Sequence, residues 1–122
     1  MELKEATMNR NKLIEIFISN LANAVIHRIL EKAIDEQEIA NAYNKEIKNS
    51  WKIAKRYREK INPANRNLHV KDIEKIKKKV INKVKSELKL RIEKGYKNIN
   101  VSLIDEFVEK ALDEMRIYKK ET

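Results

Sequence analysis

Cysteine is absent from the 122 residues, and glycine and proline occur once each. Without cysteine there is no disulfide, no thiolate metal site and no thiol nucleophile. One glycine leaves no material for a glycine-cradled phosphate loop, a collagen repeat or a turn-rich β architecture. The opening Met1-Glu2-Leu3-Lys4-Glu5 lacks the basic, then apolar, then small-residue order of a secretory signal. The most apolar stretch, Leu13 to Leu30, is interrupted by Glu15, Asn20, Asn23, His27 and Arg28. Those side chains make a bilayer span costly, so a cytoplasmic protein without membrane contact is expected.

What is present is apolar matter at 42% and charge at 39%. That is too apolar for a disordered tail and more charged than the roughly 25% of an average domain. A single domain over 1–122 with one core follows from the length.

The net charge of +9 is not spread evenly. Residues 1–40 hold five basic and seven acidic side chains, and residues 98–122 hold four and six. Residues 41–97 hold nineteen and six, a net of +13. Coating for solubility mixes signs everywhere, whereas binding to a polyanion calls for a focus.

Periodicity reads as four helices, over about 9–34, 35–61, 70–94 and 102–119, two of them long. In the first, Ile14, Phe17, Ile18, Leu21, Val25 and Ile29 form one stripe, with Leu13, Ile16, Ile26, Leu30 and Ile34 on the other side. A helix apolar nearly all round is either central or buried in a second copy, so a homodimer through this helix stays open. The second starts at Asp35 as cap, with Glu38 completing a capping box. Its seam is Ala40, Tyr43, Ile47, Ser50, Ala54, Tyr57 and Ile61, and its far face carries Lys45, Lys48, Lys52, Lys55, Arg56 and Lys60. Asn62 before Pro63 closes it. In the third, Ile73, Ile76, Val80, Val84, Leu88 and Ile92 are the buried face, and Lys71, Lys75, Lys78, Lys79, Lys85 and Lys89 lie opposite. Gly95 ends it as a left-handed cap. Ser102 is expected to cap the fourth, whose apolar face is Ile104, Val108, Ala111, Met115 and Tyr118. An all-α small helical bundle is the fold that accommodates these pieces.

A long helix, an extended loop and then Asn67-Leu68-His69-Val70-Lys71-Asp72-Ile73 opening another helix is similar to the histone-fold arrangement. That resemblance covers about residues 20–80 and implies a pairing of Asp72 with Arg66. The first and third helices are too long for that fold and the fourth has no counterpart, so the resemblance does not identify the chain.

Candidate chemistry reduces to the lysine faces. Between Lys75 and Ser86 stand six lysines and no carboxylate, although helices stabilised by surface pairing place Glu four residues before Lys. From Lys71 to Lys89 the stripe extends ~27 Å at about 1.5 Å per residue. Duplex DNA offers one phosphate charge per ~1.7 Å, so such a ridge reaches several phosphates. The two lysine stripes are expected to lie near each other across the 62–67 hinge. A solvated face written in lysine accounts for the same letters.

Tyr43 and Tyr57 belong to the core by spacing, and Trp51 sits at the seam's edge, where packing competes with base stacking. Arg66, between Asn65 and Asn67, is the best single candidate for base-edge or phosphate contact, although an asparagine-rich turn explains the same residues. His27 and His69 have no partner spaced for a metal or for nucleophilic catalysis. Glu106, Glu109 and Asp113 read as a solvated face leaning toward the third helix.

No catalytic constellation is present, so neither an enzyme nor a cofactor is expected. Two functions remain. The first is a non-catalytic nucleic-acid-binding protein contacting DNA or RNA phosphates through Lys45, Lys48, Lys52, Arg56, Arg66, Lys71, Lys75, Lys78, Lys79 and Lys89. The second is a helical interaction module or small subunit that docks an acidic protein partner.

Overall fold

Each apolar seam closes as a helix in the computed structural model, which describes residues 9–62 and 68–117. The elements are α1 (Arg10–Lys32), α2 (Gln37–Ile61), α3 (Val70–Glu93), a 3-10 turn (Val101–Leu103) and α4 (Ile104–Glu114). Among the described residues there is no strand, so the fold is the expected all-α bundle.

α1 is the centre. Asn9 caps it, its Oδ1 accepting the Lys12 amide at 2.9 Å. Ile14, Phe17, Ile18, Leu21, Val25 and Ile29 are each at most 1% exposed, and Ile26 and Leu30 on the other side are buried as well. The chain therefore covers this helix with its own α2, α3 and α4. Length and composition alone would also let α1 cross a membrane, but ten of its residues are buried inside this bundle.

The neighbours are arranged by direction. α2 runs antiparallel to α1, with Asn23 Nδ2 donating to Ser50 Oγ at 2.7 Å and His27 stacked at a tilt on Tyr43. α3 runs parallel to α1: Arg10 pairs with Asp72 at 2.6 Å where both begin, and Ile26 and Leu90 line one groove farther along. α4 folds back antiparallel on α3, where Glu109 meets Lys77. One core joins all four helices through residues such as Phe17, Ala54, Val84 and Val108.

Several helix ends differ from expectation. α1 stops at Lys32, and α2 begins at Gln37 with Glu36 at its cap position and no side-chain capping bond, so the Asp35–Glu38 box does not form. A short connection between antiparallel helices leaves α2 stabilised by packing on α1, and its first turn dispenses with a cap. Ser102 does not cap α4. Asn100 accepts the Ser102 amide at 3.1 Å and starts the 3-10 turn, and α4 proper begins at Ile104 and ends at Glu114. Tyr118 lies outside the described residues.

Ile92, expected in the core, is 44% exposed, on the rim of a groove it shares with Val101 and Ile104 at the start of α4. The end of α3 itself is as expected. The Gly95 amide reaches the Ile92 carbonyl and the Tyr96 amide the Arg91 carbonyl, both at 3.0 Å, with Gly95 at φ +101°. The same motif closes α4, but there the left-handed residue is Arg116 at φ 55° and Ile117 is buried behind it.

Candidate nucleic-acid interface

Lysine faces are the complement of the seams. On α2, Lys45, Lys48, Lys52 and Arg56 are exposed, opposite buried Ile47, Ser50, Ala54 and Ile61. On α3, Lys71, Lys78, Lys79, Lys85 and Lys89 are exposed and Lys75 is half-buried, opposite buried Ile76, Val80, Val84 and Leu88. Arg66 lies outside the described residues. The ion pairs seen are Arg10–Asp72, Lys77–Glu109 and Arg91–Glu87. Among the described residues, then, the α3 amines at 71, 75, 78, 79, 85 and 89 have no carboxylate partner.

The two faces are not neighbours, contrary to the expectation that they meet across the hinge. α2 and α3 each pack on α1 and make next to no contact with one another. His27 and Arg28 of α1 meet Tyr43 and Trp51 of α2, while Ala22 and Ile26 line the groove shared with α3. At about 100° per residue those two sets lie on different sides of α1, with Asn23, which bonds Ser50 and also lines the α3 groove, between them. Because each lysine face points away from its own buried seam, one looks out from either flank of the bundle. The physical reason is that α1 needs covering on both sides, and the two longest remaining helices provide it.

Asp72 takes Arg10 as its partner, and the Arg66 pairing suggested by the histone-like spacing falls outside the described residues. Glu109 leans toward α3 as expected, on Lys77. His69 is exposed and caps α3, its Nδ1 accepting the Lys71 amide at 3.2 Å.

The aromatic rings of α2 are covered rather than presented. Arg28 lies over Trp51 at 4.7 Å, and Arg56 and Lys60 flank Tyr57 at 5.3 and 5.6 Å. Tyr43 is half-buried against His27. These cation–π contacts occupy the ring faces that a base would stack on.

One residue escaped the sequence reading. Arg58 is 2% exposed and joins the ends of α2 and α4. Its Nε donates to the Met115 carbonyl at 3.0 Å and its Nη2 to the Arg116 carbonyl at 2.9 Å. Its Nη1 donates to the carbonyl and Oδ1 of Asn62, at 3.2 and 2.6 Å. Burial pushes the guanidinium pKa down from its ordinary value, and Glu59 opposes that shift. It stays charged at neutral pH, where a cation favours the helix C-terminus. The signal was available: Arg58 stands four residues after Ala54 and three before Ile61, on the seam itself.

Compared with known proteins, the chain matches no family model, no curated sequence and no solved structure.

Proposed function

We propose that this chain is a non-catalytic nucleic-acid-binding protein that engages phosphate backbones through its lysine faces. The observation that carries the reading is the α3 face. Lys71, Lys75, Lys78, Lys79, Lys85 and Lys89 line one side of a single helix, and none has a carboxylate partner among the described residues. A merely solvated helix gains by pairing such charges at i and i+4. Leaving them unpaired costs self-repulsion, which a polyanion would relieve. Lysine to phosphate carries no sequence information, so binding without sequence preference is expected. On this reading the protein works in the cytoplasm with DNA or RNA, needs no cofactor and catalyses nothing.

A shift assay with duplex DNA, single strands and structured RNA across a salt series tests it. On duplex DNA the log–log slope should be about −0.9 per phosphate neutralised. A flat salt response, or no binding at low salt, refutes the reading.

A second reading, docking of an acidic protein partner, draws on a different place. Exposed Ile92 and Val101 line one groove together with Lys85 and Lys89. Co-purification of an acidic protein that survives nuclease treatment would favour it.

A further inference from the structure

Resting on the nucleic-acid reading above, we infer that one copy of this protein bridges two separate duplexes, one on each flank. The inference comes from the tertiary placement of charge. α2 carries seven basic and three acidic residues and α3 nine and four, whereas α4 carries one and five. α1 lies between the two basic helices, which make next to no contact with each other; Asn23 is the α1 residue that reaches both, bonding Ser50 of α2 and lining the groove shared with α3. Helices pack at roughly 8–10 Å and are about 10–12 Å across. The outer edges of the α2 and α3 faces are therefore roughly 30 Å apart, with α1 between them. A straight duplex lying along one face cannot touch the other.

Each face is large enough to act alone. Lys45, Lys48, Lys52 and Arg56 extend ~16 Å along α2, and Lys71 to Lys89 extend ~27 Å along α3. With one phosphate charge per ~1.7 Å of duplex, either ridge meets several phosphates.

The aromatic inventory selects a duplex over a single strand. Trp51 and Tyr57 are roofed by Arg28, Arg56 and Lys60, and Phe17 is fully buried. Tyr96, exposed, sits beyond the end of α3 against Arg91 and on neither face. Sequence-tolerant single-strand binding relies on stacking platforms, and these faces offer amines only.

The test immobilises one DNA duplex on beads, adds the protein and then a fluorescent second duplex, and measures co-capture at low salt. Wild-type protein should capture the second duplex. Two variants separate the faces: Lys45→Gln/Lys48→Gln/Lys52→Gln on α2, and Lys71→Gln/Lys78→Gln/Lys79→Gln on α3. Each should keep its helical circular dichroism and still bind a single duplex. With the intact face carrying that duplex, the α2 variant should keep the salt slope of the α3 face, and the α3 variant should show the shallower slope of the smaller α2 face. Both should drop co-capture to the no-protein background. Wild-type binding of one duplex without co-capture overturns the bridging inference and leaves the nucleic-acid reading standing. So does co-capture retained by either variant, because that would mean self-association through a single face, which light-scattering mass would show. Stronger binding to single strands than to duplex also overturns it. Absence of any binding overturns the reading on which it rests.

Discussion

Replacing Arg58 with methionine should cost this fold about 3 kcal/mol, and the figure follows from what the guanidinium holds. Methionine keeps the apolar stem and the volume, so packing beside Tyr57 and Ile61 changes little. What is lost is the donor set. The Met115 carbonyl, 3.0 Å from Nε, loses a charged donor at a buried site, and the Arg116 carbonyl, 2.9 Å from Nη2, loses one at a part-buried site. Hydrogen bonds from charged groups contribute about 1.5–3 kcal/mol each, so two of them amount to roughly 3–6 kcal/mol. The Asn62 side chain, only part-buried, can turn to water and adds little. Against this, the unfavourable burial of a cation disappears, which returns a share of the loss. With an unfolding entropy of about 2.1 cal/mol/K per residue, 122 residues give ~0.26 kcal/mol/K, and the midpoint should fall by about 12 °C. Thermal unfolding followed by far-UV circular dichroism reads this directly. Arg58→Lys should recover less than half, because one ammonium cannot span carbonyls on two helices. A fall of under about 3 °C for the methionine variant would refute the argument, since it would mean that water replaces the donors without loss.

Three further outcomes are expected. Ile76→Ala empties a site in the shared core that is 0% exposed, and urea titration should show a loss of about 2–4 kcal/mol. Gly95→Ala places a Cβ in open space but at φ +101°, so the penalty is backbone alone, about 1–2 kcal/mol; an unchanged midpoint would show that the cap has relaxed. Arg116→Gly should do the reverse, raising stability by about 0.5–1 kcal/mol as the left-handed φ of 55° ceases to strain a side chain; a lower midpoint would contradict this.

Spacing alone identified most of what is buried. Ile47, Ser50, Ala54, Tyr57 and Ile61 on α2, and Ile76, Val80, Val84 and Leu88 on α3, are buried as their periods of three and four require. The glycine stop at residue 95 was equally legible, since glycine takes a left-handed φ without strain. The starts of α2 and α4 were not, because a cap is a local preference of about 1 kcal/mol that packing overrides. Ile92 was misplaced for a related reason: periodicity assigns it to the seam whether or not a neighbour covers it.

By itself, then, the order of residues set each helix's inward and outward side, because 3.6 residues per turn ties sequence position to angle about that helix's own axis. It carried no record of where the other axes would lie. Only folding placed α1 between α2 and α3 and turned one basic segment into two faces looking apart. Only folding brought Arg58 to Met115, 57 positions away, where a cation on the α2 seam becomes the tie between two helix ends.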